Sequence, residues 1–103
     1  MREILVRIKR AVLKGRYAFS EKARTEMEAD RLTELDIAES LLNATTIYKT
    51  VRSTSPTRRG TRERLYMIES TNLTGLPIYT KGKLVKEAGM EIYYFFISAK
   101  RSL

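Results

Sequence analysis

The hydrophobic periodicity of this chain changes once, near Thr45, and that change restricts the folds open to it. Before it, apolar residues recur three and four apart, the spacing of helices with one buried face. After it, β-branched and aromatic residues come in short runs separated by turn formers, the texture of strands. Ile4, Leu5, Ile8, Val12 and Leu13, with Arg7, Lys9, Arg10 and Lys14 between them, predict a first helix that stops at Gly15. After a short Tyr17-Ala18-Phe19 segment, Ser20 caps a second helix that runs to about Asp30 and buries Ala23 and Met27. Thr33-Glu34-Leu35-Asp36 has the form of a capping box and opens a third helix, expected to bury Leu35, Ala38, Leu41 and Leu42 and to fade near Asn43.

Strands are expected at about 46–52, 63–71, 77–86 and 91–100. Residues 53–61, with Pro56, Arg58, Arg59 and Gly60, read as an exposed loop, and 72–77 and 87–89 read as turns. Connections this short favour antiparallel neighbours. The expected architecture is α+β, with N-terminal helices packed on one face of a four-stranded, mainly antiparallel sheet.

A chain of 103 residues is the size of one domain, and 43% hydrophobic residues place it among chains that fold. No apolar run has the form of a signal peptide or approaches the roughly 20 residues of a membrane span, so a soluble, cytoplasmic protein is expected. The first helix is basic and amphipathic, but its apolar stripe ends at Leu13 and Gly15, too early to favour a membrane partner. The chain has no cysteine, which excludes disulfides and thiolate metal sites. It also has no histidine, so acid–base chemistry near neutral pH falls to Lys, Tyr, Glu, Asp or Arg. With no Gly-rich phosphate loop, paired-carboxylate metal site or nucleophile elbow in view, no cofactor and no metal are expected.

Net charge is +8, and it is unevenly spread. Residues 1–47 carry 9 Lys and Arg against 8 Asp and Glu, whereas residues 48–103 carry 11 against 4. The strand-forming half therefore holds most of the excess, which points to a polyanion such as nucleic acid as the partner. Strand alternation sets Tyr79, Lys81 and Lys83 in one row, with Ile78, Thr80 and Leu84 turned to the helices. The same alternation groups Tyr94, Phe96, Ser98 and Lys100 on one face of the last strand and Tyr93, Phe95 and Ile97 on the other. Lys49 shares its side with Ile47 and Val51, where it either covers apolar surface with its stem or joins a cationic cluster.

Cutting RNA through its own 2′-hydroxyl needs a proton acceptor, positive charge for the phosphorane oxygens and an acid for the leaving 5′-oxygen. Lysines crowded on one face repel one another's charge and move toward use as bases. The candidates for this chemistry are Lys49, Glu63, Tyr79, Lys81 and Lys100. Arg52, Arg58, Arg59, Arg64, Lys83 and Arg101 stand as further contacts to RNA. A non-catalytic RNA-binding sheet, with Tyr66, Tyr79 and Tyr93 stacking bases, is the alternative from another class.

Taken in order, Ile4, Ile8-Lys9, Val12 and Gly15, then Phe19-Ser20 with Ala23, then Leu35-Asp36, then Ile47-Tyr48-Lys49-Thr50-Val51, then Gly75-Leu76-Pro77-Ile78-Tyr79-Thr80-Lys81, and last Phe96-Ile97-Ser98-Ala99-Lys100 resemble the MqsR-type messenger-RNA interferase toxins. These are similar in turn to the wider RelE and barnase-like nucleases. The resemblance implies metal-independent cleavage of single-stranded messenger RNA and neutralisation by a cognate antitoxin protein. The ribosome and a second copy of the chain stand as further partners that it allows. By motif, Lys49, Tyr79, Lys81 and Lys100 match the family's basic and tyrosine positions. The family's glutamine in the strand after the loop has no counterpart, and Glu63 stands nearest.

Overall fold

Local hydrogen bonding fixes where the helices begin and end. In a computed structural model describing residues 2–56, 62–86 and 92–103, helix α1 (Arg2–Leu13) ends in a Schellman turn. Gly15 sits at φ +70°, and the N–H groups of Gly15 and Arg16 donate to the carbonyls of Val12 and Ala11. Ser20 caps α2 (Glu21–Ala29) by accepting from the Ala23 N–H at 3.0 Å. Thr33 and Asp36 close the expected capping box at the start of α3 (Glu34–Asn43), at 3.1 and 2.9 Å. Asp36 also accepts from Asn72, tying α3 to the turn that joins two later strands.

Among the described residues the sheet has five strands, not the expected four. Tyr17–Phe19 forms β1, followed by β2 (Lys49–Pro56), β3 (Arg62–Thr71), β4 (Pro77–Lys86) and β5 (Ile92–Arg101), in the spatial order β1-β5-β4-β3-β2. β1 runs parallel to β5, pairing Tyr17 to Phe19 with Tyr94 to Phe96, and the other neighbours are antiparallel, so the sheet is mixed. β2 starts later than expected and continues through Pro56 into the stretch read as a loop. The turn expected at 87–89 lies outside the described residues.

All three helices lie to one side of the sheet, where Leu5, Ile8, Val12, Ala23, Met27, Ile37 and Leu41 pack on Tyr66, Ile68, Ile78, Tyr94 and Phe96. The inward face of α3 is turned from the expected one. Leu35 and Leu42 are 67% and 37% exposed, while Ile37, Ser40, Leu41 and Ala44 are buried. Ser40 is accommodated because its hydroxyl donates to the Ile37 carbonyl at 2.8 Å. Leu13 also faces solvent, because helical spacing sets it with Val6 and Arg10 on the outward side of α1, away from Leu5, Ile8 and Val12.

One irregularity in the β4–β5 ladder matters more than the rest. Lys81 pairs with Ser98 but its neighbour Gly82 pairs with Phe96, so Ile97 is an extra residue on β5, a β-bulge. Gly82, next to the bulge, makes room for the Tyr94 ring. A Cβ there would meet the Tyr94 ring at 2.5 Å and the Phe95 carbonyl oxygen at 2.8 Å. The close approach to fixed backbone leaves no cheap relaxation, so Gly82→Ala is expected to cost about 1–3 kcal/mol. Denaturant titration of the two proteins measures the difference, and equal midpoints would contradict the packing described.

Candidate functional site

A side chain's face of the sheet is set by its cross-strand partner, because directly opposed residues project to the same side. Two rows cross the face away from the helices. Lys49, Met67, Lys81 and Ser98 form one, each registered with the next across β2, β3, β4 and β5. Glu69, Tyr79 and Lys100 form the other. The bulge is what brings β5 into these rows. Strict alternation would send Ser98 and Lys100 to the face of Tyr94 and Phe96; the extra Ile97 reverses the parity, and that sequence expectation is corrected.

The backbone confirms the reversal in its outward-facing N–H groups. Before the bulge Tyr94 donates to the Arg16 carbonyl, whereas after it Ala99 and Arg101 donate outward, to Glu26 and Asp30 of the α2 segment. Ser20 bridges the change, its N–H donating to the Phe96 carbonyl and its hydroxyl to that of Ile97. Beyond the end of β1, helix α2 thus covers the edge of β5 with two carboxylates and a hydroxyl.

The product is an open cleft of about 410 Å³ lined by Tyr79, Lys81, Ser98, Lys100 and Arg101, with Glu69 and Lys22 at its walls and Ser102 and Leu103 beside them. The Lys100 ammonium lies 5.7 Å from the centre of the Tyr79 ring, a cation–π distance. Burial pushes the Tyr79 hydroxyl above its ordinary range, and the charges of Glu69 and Glu26 push the same way, with a contribution from Tyr48. Tyr79 therefore keeps its proton at neutral pH.

Glu26 is the residue that sequence reasoning missed. It accepts from the Ser98 hydroxyl at 2.6 Å and the Ala99 N–H at 3.1 Å, and it lies 3.8 Å from Lys22 and 4.0 Å from Lys100. Burial raises its pKa, but the bonds from Ser98 and Ala99 and the charges of Lys22 and Lys100 outweigh burial and hold it below 4.5. It stays a carboxylate and fixes the position of Ser98 and Lys100. No local signal marks it, since it sits on a helix 72 residues before its hydroxyl partner.

The other proposed residues are spread more widely. Lys49 is on the cleft's face and exposed, but Met67 separates it from Lys81, about 10 Å away at ordinary strand spacing. Glu63 is four residues beyond Met67 on β3 and pairs with Lys83 at 2.9 Å, so it stands outside the cleft. Lys83 lies on the same face, 5.9 Å from the Phe95 ring centre. Arg52 and Arg64 are registered with each other in phase with Tyr66 and Ile68, which puts them on the helix side. Arg101 borders the cleft at the end of β5 but is registered with Ile78, in phase with the helix side, while Arg58 and Arg59 lie outside the described residues. Tyr66 is buried under the helices and presents no stacking surface.

No family model matches the chain, and neither a curated protein nor a solved structure is found to match it. Among the described residues no helix is long and apolar enough to cross a membrane.

The depressed pKa of Glu26 carries a pH dependence. A carboxyl whose folded pKa lies below its unfolded value adds stability above the unfolded value and loses it as pH falls through the folded one. The melting-temperature gap between the wild type and Glu26→Gln is therefore expected to be widest near neutral pH and to close as pH drops below about 4.5. A gap that widens on acidification would contradict the hydrogen bonds described.

Proposed function

We propose that this protein is an endoribonuclease that cuts single-stranded RNA by internal attack of the 2′-hydroxyl. The observation that carries the reading is the convergence of Tyr79, Lys81 and Lys100 on one open cleft, with a carboxylate, Glu69, registered beside Tyr79. Glu69 takes the place first given to Glu63, which stands too far away to share a phosphate with Lys100.

In this reading a scissile phosphate rests between Lys81 and Lys100. Glu69 accepts the 2′-hydroxyl proton, the 2′-oxygen attacks phosphorus, and the bond to the 5′-oxygen breaks. Lys81 and Lys100 balance the charge on the phosphorane, and Tyr79 donates its proton toward the leaving oxygen. The products are a 2′,3′-cyclic phosphate and a free 5′-hydroxyl. Lys49, one row out, grips the next phosphate along the chain. The family resemblance adds a protein antitoxin as the partner that silences the activity.

The non-catalytic alternative draws on a different observation, the half-buried Tyr93 and Phe95 on the same face with Lys83 over the Phe95 ring. Such a surface binds RNA by stacking and charge without cutting it.

Incubating the purified protein with end-labelled single-stranded RNA, alone and with translating ribosomes, separates the two. Cleavage with cyclic-phosphate ends is expected, slowed about a hundredfold to ten-thousandfold by Lys81→Ala or Tyr79→Phe at unchanged melting temperature. Glu63→Gln and Arg52→Ala are expected to cut at the wild-type rate. RNA left intact under both conditions, with Lys81→Ala lowering the salt slope of binding by about one charge, would establish the binding module instead.

A further inference from the structure

On the other side of the sheet, α1 and the far ends of β4 and β5 enclose a second groove of about 370 Å³. Its floor is apolar, made by Ala11 and Ile92. Its walls are cationic: Arg7, Arg10 and Lys14 from α1, Arg16 just after it, and Lys86 at the end of β4. Among the described residues no carboxylate lines it.

Arg7, Arg10 and Lys14 are three and four residues apart, so they run along one side of the helix. Glu3, in the first turn, is the only acid α1 contains. A cationic stripe kept for solubility would be interspersed with acids, because gathering one sign of charge costs self-repulsion. The outward side of α1 also exposes Val6 to 48% and Leu13 to 71%, each one helical turn from Arg10.

We propose that this groove docks an acidic, apolar-striped segment of a partner protein. Asp and Glu side chains of such a segment meet Arg7, Arg10, Lys14 and Lys86, its apolar residues seat on Ala11 and Ile92, and Val6 and Leu13 extend the apolar contact along the helix. RNA suits the groove less well. Among the described residues no aromatic ring lines it, so bases find no stacking surface, and a phosphate backbone gains nothing from Val6 and Leu13. The groove is also separate from the cleft. Lys86 is seven residues along β4 from Tyr79, about 23 Å at the rise of a strand, and the groove opens on the opposite face. The inference therefore stands whether or not the cleft cuts RNA.

The test uses a labelled helical peptide of about 15 residues, long enough for measurable helicity, with Glu on one face and Leu at every third or fourth position on the other. Fluorescence anisotropy with the full-length protein follows its binding. The expected result is saturable binding that Arg10→Glu with Lys14→Glu weakens about tenfold or more, that Arg10→Ala with Lys14→Ala weakens less, and that Lys81→Ala leaves unchanged. Both groove positions are exposed, and circular dichroism confirms that the variants fold. A peptide of the same composition with its Leu stripe scrambled is expected to bind about tenfold more weakly. Equal binding of the scrambled peptide, or undiminished affinity in the charge-reversed protein, would overturn the proposal. So would tighter binding of a uridine oligonucleotide or phosphatidylserine vesicles that the charge-reversed pair alone abolishes.

Discussion

A single extra residue in β5 decides what the open face of this sheet presents. Ile97 shifts the phase of everything after it, so that Ala99 goes down into the core and Lys100 comes up beside Tyr79. Two features hold the shift in place. Gly82 leaves the space that the neighbouring Tyr94 ring fills, and α2 binds the shifted backbone through Ser20, Glu26 and Asp30. Without the extra residue, continued pairing would put the Ser98 hydroxyl opposite Thr80, where Ala99 is buried, away from its Glu26 partner, and would turn Lys100 to the helix side opposite Ile78. The register is specified because the wrong one is expensive.

The parts legible in the sequence are the parts governed by neighbours in the chain. Gly15, Ser20 and the Thr33–Asp36 box mark helix ends because each acts within four residues. The row Tyr79, Lys81, Lys83 follows from alternation within one unbroken strand. The features that escaped are non-local. Tyr17–Phe19 is too short to show a period and becomes a strand only because β5 lies next to it. Leu35 and Leu42 fit an apolar stripe as well as Ile37 and Leu41 do, and only the position of the sheet under α3 chooses between the two phases. The bulge leaves no mark except a glycine in β4, and Glu26 reaches β5 across most of the chain.

Charge counted by halves of the sequence also misdescribes charge in space. The first half is nearly neutral on paper, yet four of its eight acids are committed to structural work in α2 and α3. Glu26 and Asp30 hold β5, Asp36 caps α3 and holds Asn72, and Glu39 accepts from the Leu73 N–H. The cations of α1 are left without those counterions, and a positive groove forms in the half whose total gives no hint of it. In the second half the excess is real but divided. Lys83 is matched by Glu63, and Arg52 and Arg64 face away from the cleft.

The way α2 lies along β5 bears on how the protein behaves in a crowded solution. An unpaired strand edge invites another chain to add to it, and this sheet guards its two borders by different means. On one border β1 is only three residues long, and the N–H groups beyond it are already occupied by carboxylates, leaving no template for a further strand. On the other border, β2 carries Lys49 and Arg52 and runs out at Pro56, which has no N–H to offer. Both borders thus discourage the addition of a further strand, and the same carboxylate that occupies the edge of β5 holds Lys100 at the cleft.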